Sequence, residues 1–277
     1  MSELAVITGT THGIGRVTSR ELARAGKTVV MLCRDLKAAN AVRAEILREL
    51  PRARVEVVRC DLASLASVRE AAATVHRDYP PLGLLVNNAG MVSTRRRTSV
   101  DGFELTFATN HLGPFLLTTL LSDHLDKLAA RIVTVASRIH YRGRLDLDAV
   151  TNPHARYGAQ AAYAQSKLAN VVHTFALARR MAGTGVSVNC LHPGVVATNL
   201  LPRWLRVIKP LITRVMLDAE RGARTSVFLA LDPGVAGVTG RYFDEYQQPR
   251  AAAPLANDID LQESLWKMSA EWTGAPH

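Results

Sequence analysis

Short apolar runs rich in β-branched residues alternate with longer amphipathic stretches along the chain. The runs are Leu4–Thr8, Thr28–Cys33, Arg54–Arg59, Leu82–Asn87, Arg131–Ser137, Val186–Leu191 and Gly240–Phe243. Most are almost continuously hydrophobic, as strands covered on both faces should be. Stretches with apolar positions at helical spacing lie between them, at 14–26, 36–50, 64–78, 101–127, 160–182 and 220–232, and another closes the chain at 258–272. This alternation predicts right-handed crossovers, a parallel sheet and helices on both of its faces. No linker splits the pattern, so one domain over residues 1–277 is expected.

Two segments break the rhythm. Residues 138–159 form a long connection after the fifth strand, and 198–217, "TNLLPRWLRVIKPLITRVML", intrude after the sixth. Long connections in compact α/β folds usually carry function. The second has an apolar stripe with Trp204, Leu205, Ile208 and Leu211, and a basic edge with Arg203, Arg206, Lys209 and Arg214. It reads as a lid over an apolar substrate, with weak contact to a membrane surface as a further possibility and a solvated basic face or oligomer contact as the plainer one.

Composition is that of a soluble protein with a sizeable core, 48% hydrophobic and 21% charged. Cys33, Cys60 and Cys190 lie far apart with no CxxC, which fits a reducing compartment and neither a disulfide framework nor a metal site. No apolar run approaches the ~18 residues of a membrane span. The start, "MSELAVITG", has no leader pattern. The expected location is the cytoplasm. The formal charge of +10 is scattered over many segments, and only 5% of residues are aromatic. That disfavours nucleic acid, whose single-strand binders interleave basic and aromatic residues, and favours a ligand bearing phosphate.

The first strand runs into "TGTTHGIG", with Gly9, Thr11, His12, Gly13, Ile14 and Gly15. Glycines at a strand-to-helix junction let the backbone approach a pyrophosphate, and the helix start presents free N–H groups to it. NAD-binding sheets typically carry Asp or Glu at the end of the second strand to hold the ribose 2′-hydroxyl. Here Cys33 is followed by Arg34, which suits the 2′-phosphate of NADP. His12 would add a second positive contact if protonated. Asp61, after the third strand, is either an acceptor for an adenine amino group or a helix N-cap, with Ser64 a competing cap.

Further motifs follow in order: "NNAG" with Asn88, Ala89 and Gly90; "TNHLGPF" with Asn110; "TVAS" with Ser137; "YAQSK" with Tyr163 and Lys167; "HPGVVATNL" with Pro193, Gly194, Val196 and Thr198. Each piece alone is ordinary. Tyr163 alone reads as a packing residue, Lys167 as a solvated neighbour and Ser137 as a cap. Together with the glycine loop the ordered set resembles the short-chain dehydrogenase/reductase family over nearly the whole chain. "YAQSKLAN", "DGFELTFATNHLGPFLLT" and "GRYFDEYQQPRAAAP" look most like its retinol-dehydrogenase-like branch.

The resemblance implies a Rossmann-type, doubly wound parallel sheet of seven strands in the order 3-2-1-4-5-6-7. It implies a dehydrogenase/reductase with Ser137, Tyr163, Lys167 and Asn110 as catalytic residues. Cofactor contacts are expected from Gly9, Thr11, His12, Gly13, Ile14, Gly15, Arg34, Asp61, Leu62, Asn88, Ala89, Gly90, Tyr163, Lys167, Pro193, Gly194, Val196 and Thr198. NADP(H) is expected over NAD(H), no metal is expected, and the family suggests a homo-oligomer, with the helices at 101–127 and 160–182 as its pairing elements. Met91, His140, Tyr141, Tyr157 and Trp204 are candidate pocket residues for a small hydrophobic substrate.

Four residues on from Tyr163, Lys167 lies one turn away on the same helix face. Its ammonium is expected to lower the phenol pKa, letting Tyr163 exchange a proton with an alcohol or carbonyl. Ser137 would steady the substrate oxygen, and Asn110 would anchor a water leading to Lys167. A ketoreductase acting on carrier- or CoA-linked substrates is the rival enzyme. A non-catalytic NADP-sensing regulator is the rival of another class, disfavoured by the presence of both tyrosine and lysine.

Overall fold

The computed structural model describes residues 2–194 and 219–276. Its centre is β1 (Leu4–Thr8), whose five residues are all buried. It pairs in parallel with β2 (Thr28–Cys33) on one side and β4 (Leu84–Asn87) on the other. β3 (Arg54–Arg59) adds beyond β2, and β5 (Arg131–Val135), β6 (Ser187–Leu191) and β7 (Arg241–Phe243) follow beyond β4, all parallel. The order is thus 3-2-1-4-5-6-7, as the motifs imply, with one addition. An eighth strand, β8 (Pro249–Arg250), pairs antiparallel with β7. Two residues are too few to show a pattern in the sequence. The turn before it depends on Asp244, whose Oδ1 accepts from the N–H groups of Tyr246 and Gln248, and on Gln247 at φ 65°.

Alternate residues of β1 feed two cores. Ala5 and Ile7 pack with Leu22 of α1 (Gly13–Arg24), Val42 and Ile46 of α2 (Leu36–Glu49), and Leu229 of a later helix. Leu4 and Val6 pack with Val68 and Val75 of α3 (Leu65–Asp78) and, farther on, with Phe115 and Leu116. This period-two division across a pleated sheet is why the strands read as continuously apolar.

The stretch expected as one helix over 101–127 is several pieces. Glu104 caps α4 (Leu105–Phe107), its two oxygens accepting from the N–H groups of Thr106 and Phe107. A π-helical turn at Ala108–Leu112 follows, and α5 (Gly113–Leu120) completes the unit. The close approach of Gly113 to the chain after β3 fixes this region, since a Cβ there would meet the Leu62 carbonyl oxygen at 2.3 Å.

After β5 come a 3-10 turn at Arg138–Arg142, a short α6 (Asp148–Thr151) and the long α7 (Ala159–Arg180). α8 (Ala219–Leu231) covers the sheet beside α1, and α9 (Ile259–Thr273) lies across α7 and α5. The lid expected at 198–217 falls outside the described residues.

Helix α7 is buried without a break from Leu168 to Thr174, and α5 from Gly113 to Thr118. The cover is α9: Trp266 stacks on His173 with ring centroids 5.5 Å apart, and Glu263 pairs with Arg179 and Arg180. The helices expected to pair between subunits thus pack in part against the chain's own last helix.

Candidate active site

The glycine loop is locked to the end of β4. Thr8 Oγ1 accepts from the N–H groups of Asn88 and Ala89 at 3.1 and 3.0 Å. Asn88 Nδ2 donates back to the carbonyls of Thr8 and Gly9 at 2.8 and 3.0 Å. No larger residue fits: a Cβ on Gly15 would meet the Gly9 oxygen at 2.2 Å, and one on Gly9, at φ 71°, the Ala89 Cα at 2.7 Å. Ile14, in the first turn of α1, is buried with Val17 and Ala223, and Gly13 sits half-buried at φ 59°. His12, the N-cap of α1, makes no capping bond to the helix. Its Nδ1 faces Thr11 Oγ1 at 3.0 Å instead. In contrast, α2, α3 and α9 are capped by Asp35, Ser64 and Asp258. The start of α1 thus has no side-chain cap on its N–H groups, an arrangement that fits a dinucleotide pyrophosphate.

At the tip of β2, Cys33 is buried with its thiol 2.9 Å from Thr10 Oγ1, and Arg34 is exposed. Ser64 takes the N-cap of α3, accepting from Ser67 N–H at 3.3 Å. Asp61 instead accepts from Ala63 N–H at 3.0 Å and stays half-buried at the strand end. Leu62 is buried, with its backbone against Gly113.

Ser137, Tyr163, Lys167 and Asn110 converge beyond the carboxyl ends of β4 and β5. Ser137 starts the 3-10 turn, its Oγ accepting from Ile139 N–H, and its hydroxyl lies near that of Tyr163. Lys167 is buried, donates to the Val135 carbonyl at 2.7 Å and lies 5.7 Å from the Tyr163 ring centroid. Asn110 sits in the π turn, as such turns often do at working sites. Its Oδ1 accepts from Met91 N–H at 2.8 Å, and its Nδ2 donates to the Met91 carbonyl and to Ser166 Oγ at 2.9 and 3.0 Å. Gly90 keeps this group open: a Cβ there would stand 3.2 Å from Lys167 Nζ and 3.7 Å from Asn110 Oδ1.

Electrostatics correct one expectation. Burial pushes the Tyr163 phenol up to about 12, with the Ser137 hydroxyl pulling the other way. Desolvation also brings Lys167 down to about 8, so burial opposes the charge of both groups. In the free protein burial thus favours the protonated phenol.

The candidate pocket residues fare unevenly. His140 is fully buried; its Nδ1 donates to the Ser137 carbonyl at 2.7 Å and its Nε2 accepts from Ala253 N–H at 3.1 Å. Both ring nitrogens are taken, so it braces Ser137 rather than lining a pocket. The Tyr157 hydroxyl donates to the Ser93 carbonyl at 2.7 Å and that of Tyr141 to Ala251 at 2.5 Å. Met91 is half-buried and held through its backbone. Pro193 and Gly194 lie half-buried just past β6, whereas Val196, Thr198 and Trp204 fall outside the described residues. Thr8 and Ser166 sit inside quoted motifs, yet a hydroxyl residue there shows nothing of the partner it will find.

A parallel sheet with a glycine-lined helix start and a Ser–Tyr–Lys group at the adjoining strand ends defines a nicotinamide-dependent oxidoreductase of the doubly wound class. The short chain dehydrogenase model matches residues 3–206. Human retinol dehydrogenase 13 is 39% identical over 278 residues, spanning 97% of this chain and 84% of that protein. An uncharacterised protein from Mycobacterium Paratuberculosis superposes with TM-score 0.81 at 35% identity, covering 99% of this chain and 95% of the other. A Beutenbergia cavernae protein assigned as an NAD(P)-dependent gluconate 5-dehydrogenase holds NADP at low occupancy; it gives TM-score 0.71 at 28% identity, covering 87% and 94%. The chain belongs to the short-chain dehydrogenase/reductase family, in its retinol-dehydrogenase-like branch, and is an NAD(P)-dependent oxidoreductase.

Proposed function

We propose that the protein uses NADP(H) in preference to NAD(H) and moves a hydride between nicotinamide and a small hydrophobic alcohol or carbonyl compound, with Tyr163 as the proton donor and acceptor. The convergence of Ser137, Tyr163 and Lys167 beside the glycine cradle carries this reading. The exposed Arg34 past β2 supports NADP, since the acid that would repel a 2′-phosphate is missing and Asp35 is committed to capping α2. Retinol, in the name of the relative, is a lipophilic alcohol. The apolar stripe of 198–217 agrees with such a substrate and keeps weak membrane-surface contact within the proposal. Free, buried Cys33, Cys60 and Cys190 agree with a cytoplasmic location. A homo-oligomer belongs to the proposal too, formed away from the side of α5 and α7 that α9 covers.

Bound at the cradle, NADPH supplies the hydride. Ser137 Oγ and the neighbouring Tyr163 hydroxyl receive the substrate oxygen between them. With its pKa raised to about 12, the phenol holds its proton at every physiological pH and gives it to the alkoxide as the carbonyl is reduced. Lys167 Nζ spends one of its three donors on Val135. The others would be free to hold ribose hydroxyls of the cofactor and to steady the tyrosinate that forms. One lone pair of Asn110 Oδ1 is taken by Met91, and the second is the place for the water that returns a proton toward Lys167.

Tyr163→Phe is expected to bind NADPH normally, by fluorescence titration, and to lose carbonyl reduction by about 10²–10⁴-fold. Near-normal turnover would overturn the assignment. Arg34→Ala is expected to weaken NADPH about tenfold or more, the scale of a charged hydrogen bond, and leave NADH unchanged. A parallel loss for both cofactors would remove Arg34 from the 2′-phosphate site.

A further inference from the structure

The turn after β6 is anchored by a histidine that the proton chemistry does not use. His192 is buried, and its backbone N–H donates to the Phe243 carbonyl at 3.0 Å. Its Nδ1 accepts from Gly194 N–H at 3.1 Å, and its Nε2 lies 3.0 Å from Glu245 Oε2. A backbone N–H only donates and a carboxylate only accepts, so the proton sits on Nε2 and Nδ1 is bare. The Nδ1 bond closes a small ring across Pro193 and holds Gly194 at φ 77°, like the turns that Asn and Asp side chains make two residues on.

The surroundings are unequal. The Tyr242 ring covers the imidazole at 5.7 Å between centroids, with His140 against that tyrosine at 4.6 Å. Burial is the largest influence and holds His192 below the ordinary histidine value. Glu245 and Asp244 favour its charged form and Arg138 opposes it. Asp244 is itself bound to Arg250 at 2.6 Å.

We infer that His192 is a positioning residue: its neutral Nε2–H form, selected by Glu245, holds the Pro193–Gly194 turn in the shape that the nicotinamide end of the cofactor needs. This rests on the reading of that turn as a cofactor contact. A second proton, on Nδ1, would point at the Gly194 N–H, ending the bond and setting donor against donor. NADPH affinity then falls as pH drops through the His192 pKa.

The test is NADPH binding by fluorescence from neutral to acid pH, on wild type, His192→Asn, His192→Ala and Glu245→Gln. Asn offers Oδ1 where Nδ1 stood and cannot take a proton. His192→Ala should weaken binding about five- to tenfold, the scale of one neutral hydrogen bond. His192→Asn should restore most of it and lack the His192 step in its acid profile. Glu245→Gln removes the charge that favours imidazolium, so its acid step should move to lower pH. An acid step unchanged in His192→Asn, or wild-type affinity in His192→Ala, overturns the inference. Imidazole ¹⁵N shifts of the wild type provide a check free of any variant: a neutral ring protonated on Nδ1 would also overturn it. If the wild type itself binds no NADPH at neutral pH, the cofactor reading fails first and the inference falls with it. Loss confined to the variants leaves that reading standing.

Discussion

At the scale of residues, what the sequence shows best is what the backbone cannot tolerate. Gly9 and Gly15 are readable because a side chain there collides with main chain. Gly15→Ala is expected to cost about 1–3 kcal/mol, the range for overpacking a filled site, and to weaken NADPH binding; thermal unfolding with and without cofactor checks both. Least legible are partnerships such as Thr8 with Asn88, or His140 with Ala253, because a hydroxyl or imidazole does not name its mate until the chain is folded. The same holds for charge. A lysine one turn from a tyrosine suggests a lowered phenol pKa, yet only burial shows that Lys167 itself is brought from 10.5 to about 8. Between those values the unfolded chain holds a proton that the folded chain has released, so this group adds stability as pH rises from about 8 to 10.5 and costs stability below. Lys167→Met without cofactor should therefore be more stable than wild type near pH 7. The gain is about 3 kcal/mol at most, less about 1 for the lost bond to Val135. The advantage should shrink through that window, and a gap between the melting curves that ignores pH would contradict it.

At the scale of elements, the first three parallel strands were legible to the residue. β1 and β2 coincide with their apolar runs, because strands buried on both faces leave an uninterrupted signal, and the edge strand β3 coincides through its valines, with Arg54, Glu56 and Arg59 exposed. The 101–127 stretch was legible as helical but not in its interruption. Nothing in "FATNHLG" marks a π turn; the bulge follows from Asn110 reaching Met91 and Ser166, and from Gly113 seated on the Leu62 backbone. Asn110→Ala should leave the Met91 N–H and carbonyl without their partner, at about 1–3 kcal/mol for each group that stays buried. Chemical denaturation measures that cost. A parallel fall in turnover with NADPH affinity retained would separate the loop clamp from cofactor binding. Stability and turnover both unchanged would mean that the π turn does not depend on the amide.

At the scale of the molecule, a closing helix over 258–272 was readable, but not its seat. Helical periodicity shows that an apolar face exists, not which neighbour covers it. The helices that α9 covers in part, α5 and α7, are the ones expected to join subunits. Arg179 and Arg180 share Glu263, and Arg180 lies 4.1 Å over the Trp266 ring. Half-exposed ion pairs of this kind contribute about 0.2–1 kcal/mol each, and an exposed cation–π contact about 0.5–1. Reversing both charges, Arg179→Glu with Arg180→Glu, should thus cost about 1–2 kcal/mol. For a chain of this size that lowers Tm by roughly 2–8 °C at 2–4 °C per kcal/mol. The mass by light scattering should stay where it was, because the contacts broken lie within one chain. A wild-type oligomer that falls to single chains on this substitution would show the opposite, that α7 and α9 form the subunit interface.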